Sequence, residues 1–328
     1  MRIIVDAFGG DNAPLEILRG CRDAVSEYAV KILLTGDEYK IKKCAKDNGI
    51  SLASMEIKHT DSVFSMEDEP RSILKENSGT SMALGLQALA DGEGKAFVSA
   101  GSTGALVVGS SFIVKRIPGV RRAAIASILP SRAGPVMLLD CGASHDCEAE
   151  YLRQFALMGS VYMEKVMGIR RPRVGLANIG TEPNKGDRLR LEAFGLLSAQ
   201  DGINFTGNIE ARDIPFGLCD VVAADGFTGN IILKMYEGVA AMMLSEVKAV
   251  FTGGPLTKLS ALMVKKGMMS LKKKMDYTDY GGAPLLGING AVIKAHGSSD
   301  AKAFKNALRQ AKEYLDNDVV NLIKLKES

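Results

Sequence analysis

KAFVSAGSTGALVVG (residues 95–109) changes character halfway along. Residues 95–100 form a short β-rich run, and GSTGA at 101–105 is a glycine and hydroxyl turn that opens a helix directly after it. Backbone N–H groups at such a turn, helped by the hydroxyls of Ser102 and Thr103, make a natural anion seat. The same residues also serve as an ordinary capped helix start. The turn is not a Walker A sequence, and no GxGxxG dinucleotide fingerprint follows a strand anywhere in the chain.

The strand, polar turn, helix pattern recurs outward from this run. RIIVD (2–6), VKILLTG (30–36), RAAIASIL (122–129), PVMLLD (135–140), RVGLAN (173–178) and DVVAAD (220–225) read as buried strands. Helical patterns lie between them, for example Pro14–Tyr28, Ala149–Met167 and Asp187–Ala199. This alternation predicts an α/β fold with a mostly parallel sheet sandwiched by helices, in which ligands sit at the carboxyl ends of strands. Four more polar segments follow strands: DAFGGDNAP (6–14), DCGASHD (140–146), NIGTEPNKG (178–186) and DGFTGN (225–230). Five strand ends of one chemistry predict a single composite site. No repeat or low-complexity linker breaks the chain, so 1–328 reads as one α/β unit carrying an insertion at 252–279.

The composition narrows the classes. At 46% hydrophobic and 24% charged, the chain is ordinary for a globular enzyme, and a net charge of +3 is too small to imply nucleic-acid binding. With no Trp and 6% aromatics it offers no stacking platform for single strands. Five scattered cysteines without a CxxC pair point to a reducing cytoplasm. Met1 leads straight into a strand-like run with an acid at position 6, so no signal peptide is expected, and no run reaches the roughly 18–20 apolar residues of a spanning helix.

Individual residues carry the chemistry. Lys185 lies just after a strand end beside a glycine, as a solvated loop lysine or as the point charge of a phosphate clamp. Asp225, Thr228 and Asn230 precede a helical run; Asp225 or Thr228 suits an N-cap, and the Asn230 amide suits donation to a developing oxyanion. His296 is the histidine within YGGAPLLGINGAVIKAHGSS (280–299), a segment with five glycines, one lysine and no acid. It reads as a structural hydrogen bonder, a phosphate donor or an acid. The glycines there, Gly281 and Gly282 among them, mark tight turns at a domain edge or close approach of a ligand to backbone. Cys141, His145 and Cys147 alone do not make a zinc signature, and without a G-x-S-x-G elbow a Ser–His–Asp triad lacks support.

The insertion contains PLTKLSALMVKKGMMSLKKKM (255–275), with six lysines and no acid. Leu256, Leu259 and Met263, then Met268, Leu271 and Met275, fall at i, i+3, i+7, predicting two short basic amphipathic helices broken at Gly267. The apolar stripe with Lys265 and Lys266 suits an anionic bilayer or an acidic carrier protein.

VDAFGGDNAP, SAGSTGAL, LLDCGAS, NIGTEPNKG, GNIEARDIPFGLCDVVAADGFTGN and YGGAPLLGINGAVIKAHGSS, in this order from Ile4 to Ser299, closely resemble the phosphate acyltransferase (PlsX-type) family of bacterial phospholipid synthesis. The resemblance implies a fold similar to phosphate acetyltransferases and isocitrate-type dehydrogenases. It implies transfer of a long-chain acyl group from acyl carrier protein to orthophosphate by direct attack on the thioester, without cofactor or metal. It further implies a homodimer on the inner face of the cell membrane, near a membrane glycerol-3-phosphate acyltransferase. Where the family usually has Asn, this chain has Ser102 and Ser144, and Thr181 and Glu182 stand where it usually has two acids. Together with the strand-end reading, this makes Lys185, Asn230, His296 and Asp225 the expected catalytic set. Asp6, Gly9, Gly10, Asp11, Ser102, Thr103, Gly104, Thr228, Gly281 and Gly282 are expected to bind phosphate and substrate. Leu259, Met263, Lys265, Lys266, Met268 and Leu271 are expected to meet membrane or carrier. The competing readings are a phosphate acetyltransferase-like enzyme using a CoA thioester, a metal-dependent dehydrogenase of related fold, and a non-catalytic membrane scaffold.

Overall fold

The computed structural model describes residues 1–144, 146–274 and 280–327; the side chains at 255, 256, 258, 259 and 271–274 lie outside that description. Among the described residues eleven strands form one sheet: β1 (Arg2–Asp6), β2 (Lys31–Gly36), β3 (Met55–His59), β4 (Ala96–Ser99), β5 (Ala124–Pro130), β6 (Pro135–Leu139), β7 (Arg173–Ala177), β8 (Asn204–Ile209), β9 (Val221–Ala223), β10 (Ala283–Leu286) and β11 (Ala291–Lys294). Their order is β3-β2-β1-β4-β11-β10-β5-β6-β9-β7-β8. The helices are α1 (Leu15–Tyr28), α2 (Glu38–Asp47), α3 (Ser81–Ala90), α4 (Thr103–Gly109), α5 (Ala149–Lys165), α6 (Arg188–Ala199), α7 (Gly226–Thr252), α8 (Pro255–Lys274), α9 (Ala301–Asp316) and α10 (Val319–Glu327).

Strands buried on both faces read as continuous apolar runs. Along β1, Ile3 and Val5 enter one core and Ile4 the other; Met137 and Leu139 of β6 are likewise divided from Val136 and Leu138. Helices on both faces therefore have apolar surface to cover, which is why alternation in the sequence becomes a layered α/β fold.

The seven sequence-predicted strands are present within one or two residues at each end. Of the two readings of the glycine-rich segment 280–299, the run of turns at a domain edge does not hold, because the segment forms the β10–β11 hairpin at the centre of the sheet. β11 runs parallel to β4, while β10 is antiparallel to both β11 and β5, and β5 is antiparallel to β6. Consequently β1–β4 with β11 run one way, and β6, β7, β8 and β9 run the other. The carboxyl ends of these two parallel halves point to opposite edges, so the five polar loops do not share one rim. The hairpin escaped notice because APLL and AVIK are only four residues each and stand among glycines.

The insertion also differs in detail. α8 is one helix that passes through Gly267 without a break. A single helical glycine costs only about 1 kcal/mol, less than two separate helix ends would. α8 packs against α7. Met263, Lys265 and Lys266 are exposed, Met263 to 86%, and Met268 is half-buried. The side chains of Leu259 and Leu271, and all of Met275, lie outside the described residues. None of the described helices is long and apolar enough to cross a membrane.

Candidate active site

A cleft of about 500 Å³ crosses the middle of the sheet over β5, roofed by the first half of α7. Its polar end is built by Gly101, Thr103 and Gly104 after β4, by Lys294 and His296 at the end of β11, and by Asn230 on α7. Its other wall is apolar, with Ile128, Leu129, Leu233, Tyr236 and Ala240. Both parallel halves reach it, despite their opposed directions, because β5 runs from the loop after β6 at one end to the start of β10 at the other.

Of the expected residues, Thr103, Gly104, Asn230, His296, Gly281 and Gly282 line this cleft. Gly282 lies so close to the next strand that a Cβ would sit 2.5 Å from the Lys294 carbonyl oxygen, and Gly281 has φ +101°. His296 Nδ1 lies 2.9 Å from Ser298 Oγ and accepts the Ser298 N–H at 3.3 Å, so in the neutral ring the proton resides on Nε2. Asn230 faces Gly142, whose φ of +127° lets the loop after β6 turn beneath it.

Ser102 caps α4, its Oγ accepting the Ala105 N–H at 3.4 Å. Asp6, Gly9, Gly10 and Asp11 form a second layer packed against the lining loops. A Cβ on Gly9 would meet Asp6 Oδ2, Gly101 N and Ser99 Oγ within 2.8 Å, and the Asp11 N–H donates to Gly297 O at 2.8 Å. The buried Asp6 carboxylate accepts from Ser81 Oγ and Ser99 Oγ, each at 2.7 Å, and from Phe8 N at 3.2 Å. Burial pushes its pKa above the usual carboxylate value, with these donors pulling the other way.

Asp225 and Thr228 occupy the first turn of α7. Asp225 is the N-cap, accepting the Thr228 N–H at 3.0 Å, and it is ion-paired with Arg190, which also donates to Thr228 Oγ1 at 2.9 Å. Burial opposes ionisation of Asp225, but the Thr228 donors and Arg190 outweigh it and hold its pKa low. Lys185 does not line the cleft; it sits in the loop between β7 and α6 with its side chain 48% exposed, 4.0 Å from Glu182. Cys141 is buried, and burial pushes the Cys147 thiol up to about 12. His145, the third member of that group, lies outside the described residues, among which no cluster of three or more His, Cys, Asp or Glu could hold a metal.

Two residues were not singled out from the sequence. Asp140 follows β6, and its fully buried carboxylate accepts from Ile125 N, Gly142 N, Ala143 N, Ser144 N and Ser144 Oγ at 2.7–3.2 Å, shaping the loop under Asn230. Lys294 is the lysine of the acid-free glycine segment, and that isolation was its signal. Burial brings its pKa down to about 8 while Asp6 and Asp11 pull it up.

The sequence model described as "Fatty acid synthesis protein" matches residues 1–322. The chain belongs to this family. The phosphate acyltransferase of Caldanaerobacter subterraneus subsp. tengcongensis is 45% identical over 327 residues, covering 99% of this chain and 96% of that one. That of Clostridium botulinum is 44% identical over 332 residues, covering 98% and 99%. This member of the fatty acid synthesis protein family is thus a transferase. Its fold is shared with a phosphotransacetylase from Streptococcus pyogenes (TM-score 0.64, 16% identity, 96% and 94% covered) and with the EutD phosphotransacetylase from Staphylococcus aureus (TM-score 0.63, 16% identity, 95% and 94% covered). A putative 4-hydroxythreonine-4-phosphate dehydrogenase from Salmonella typhimurium is more distant, at TM-score 0.51 and 12% identity with 95% and 99% covered.

Proposed function

We propose that the protein is a phosphate acyltransferase that moves a long-chain acyl group from acyl carrier protein to orthophosphate, giving acyl phosphate for phospholipid synthesis. The observation that carries this reading is the two-natured cleft. One end offers hydroxyl, amide, imidazole and ammonium groups to an anion, and the other offers an apolar wall to a chain. A phosphate oxygen attacks the thioester carbonyl carbon, the C–S bond breaks, and the sulfur leaves as a thiolate. With a thiol pKa near 8.5 that departure needs little acid help, so positioning and charge stabilisation carry most of the acceleration. Asn230 and His296 are placed as donors to the developing oxyanion, with Thr103 and the glycine backbone holding the phosphate. Asp225, paired with Arg190, keeps the first turn of α7 and with it Asn230 in position, while Lys185 lies outside the cleft on the loop between β7 and α6.

The same reading makes the protein cytoplasmic, a homodimer, and peripheral to an anionic membrane. The exposed Met263 with Lys265 and Lys266 on α8 supports the membrane contact, since an apolar stripe beside lysines suits the headgroup boundary. There it would work near a membrane glycerol-3-phosphate acyltransferase that consumes acyl phosphate.

The test is thiol release from acyl carrier protein thioester with and without orthophosphate, repeated with a CoA thioester. Phosphate-dependent release, faster from the carrier protein, is expected. Release independent of phosphate overturns the reading, and loss of activity in chelator with recovery on magnesium overturns the direct attack.

A further inference from the structure

Lys294 ends β11 at the centre of the sheet, paired with Ser99 of β4 on one side and Ala283 of β10 on the other. Its ammonium donates to Ala100 O at 3.1 Å and to Ala295 O. An ammonium has three N–H donors. Two are held by carbonyls, and one remains for the cleft that Lys294 lines between Gly101–Gly104 and His296.

Lys234, which also lines the cleft, and Lys185, outside it, are differently placed. Lys234 is ion-paired with Glu237 at 2.8 Å, and Lys185 lies 4.0 Å from Glu182. Among the described residues Lys294 has no carboxylate within ion-pair distance. Carbonyl oxygens fix the position of the ammonium without cancelling its charge, so the charge is free to meet an incoming anion. Both carbonyls belong to the segments that build the polar end of the cleft, so the head group needs no rearrangement when a ligand arrives.

We infer that Lys294 is the cation that seats the attacking phosphate in this cleft. This rests on the acyl-transfer reading and adds to it the group that binds the nucleophile. In the step itself a phosphate oxygen forms the new C–O bond, the C–S bond breaks, and its electron pair leaves on sulfur. Lys294 keeps its proton throughout.

A pH signature follows. Because burial has brought the lysine pKa to about 8, the free enzyme loses this charge as pH rises through that value, and phosphate capture falls with it. The charged groups acting on Lys294 are Asp6 and Asp11 from β1 and its loop and Lys234 from α7, and the cleft it lines also holds Glu237 from α7, Tyr280 ahead of β10, Cys141 after β6 and His296 from its own loop. An arginine in its place stays charged over the whole range.

The experiment compares the full chain with its Lys294→Met and Lys294→Arg variants in two assays. One follows thermal unfolding with and without inorganic phosphate. The other follows thiol release as phosphate and pH are varied. Wild type should be stabilised by phosphate, and Lys294→Met should not. In Lys294→Met, kcat/KM for phosphate should fall about 10²–10³-fold, with KM for the acyl thioester little changed. Lys294→Arg should keep part of the activity and lose the decline above about pH 8. If phosphate stabilises Lys294→Met as it does wild type, or the alkaline decline is unmoved in Lys294→Arg, the residue is only a structural tie between two carbonyls. Should Lys294→Met fail to fold, the Arg profile decides. Wild type that is stabilised by phosphate but releases no thiol refutes the acyl-transfer reading while the binding comparison still tests Lys294.

Discussion

Gly229 is where the joint between α7 and the sheet is tightest. A Cβ built on it would sit 1.9 Å from the Asp140 carbonyl oxygen, and one on Gly226 would sit 2.2 Å from Ser144 O. These are backbone atoms of the loop held by the Asp140 carboxylate, so they cannot swing aside as a side-chain tip would. Reaching the 3.0 Å below which real contacts essentially never fall requires α7 to move by roughly 1 Å at its first turn. Gly229→Ala should therefore cost about 1–3 kcal/mol, the usual range for overpacking a close-fitting site. In a chain of 328 residues that is a fall in Tm of roughly 1–5 °C. The effect on catalysis should be larger. Asn230 is the next residue and lines the cleft, and a misplacement of about 1 Å can cost about 10²-fold in rate. Gly238→Ala is the control on the same helix, where an added Cβ meets nothing within 4 Å. It should stabilise by about 0.5–1 kcal/mol through helix propensity. Thermal melts and initial rates of phosphate-dependent thiol release on both variants provide the assay. A Gly229→Ala variant with wild-type Tm and kcat would refute the argument that close approach, rather than turn chemistry, selects glycine here.

Three further outcomes follow from named contacts. Asp225→Asn keeps a capping oxygen but removes the charge facing Arg190, so it should cost about 1.5–3 kcal/mol at neutral pH. Because the folded-state pKa is depressed, that contribution is present above the unfolded pKa of about 3.9 and is lost as pH falls below it; urea melts of the two proteins should converge on acidification, and a gap that persists would refute the ion-pair assignment. In Asp140→Asn, the amide nitrogen would turn a donor toward Ser144 N–H or Ile125 N–H, whichever oxygen it replaces, so a loss of about 1–3 kcal/mol is expected in equilibrium unfolding. Unchanged stability would mean the loop 141–144 is held by other contacts. Placing Glu at both Leu262 and Met263, exposed on α8, should abolish sedimentation with anionic liposomes while activity on soluble carrier protein persists; continued sedimentation would place the membrane contact elsewhere.

Seven of the strands and several helices were legible in the chain because each is a local pattern, whereas the edge strands β3 and β8 and the hairpin β10–β11 were not read from it. Ile3–Val5 or Val136–Leu139 announces a strand buried on both faces without help from elsewhere. The glycine, hydroxyl and amide motifs were legible for the same reason, since each sits within a few residues of the strand that presents it. Thr103, Gly104, Asn230 and His296 could thus be named and do converge on one cleft. The direction of each half of the sheet was not legible. It depends on the β10–β11 hairpin pairing with β4 and β5, partners more than 150 residues away in the chain, and register across such distances leaves no local trace. That pairing also determined which charges are available. Lys185, conspicuous in the sequence, lies outside the cleft, and Lys294, unremarked among glycines, lies inside it with two carbonyls on its ammonium. Sequence determined which groups each loop carries; only the tertiary structure decided which of them meet, because burial and charge are properties of what the chain folds against.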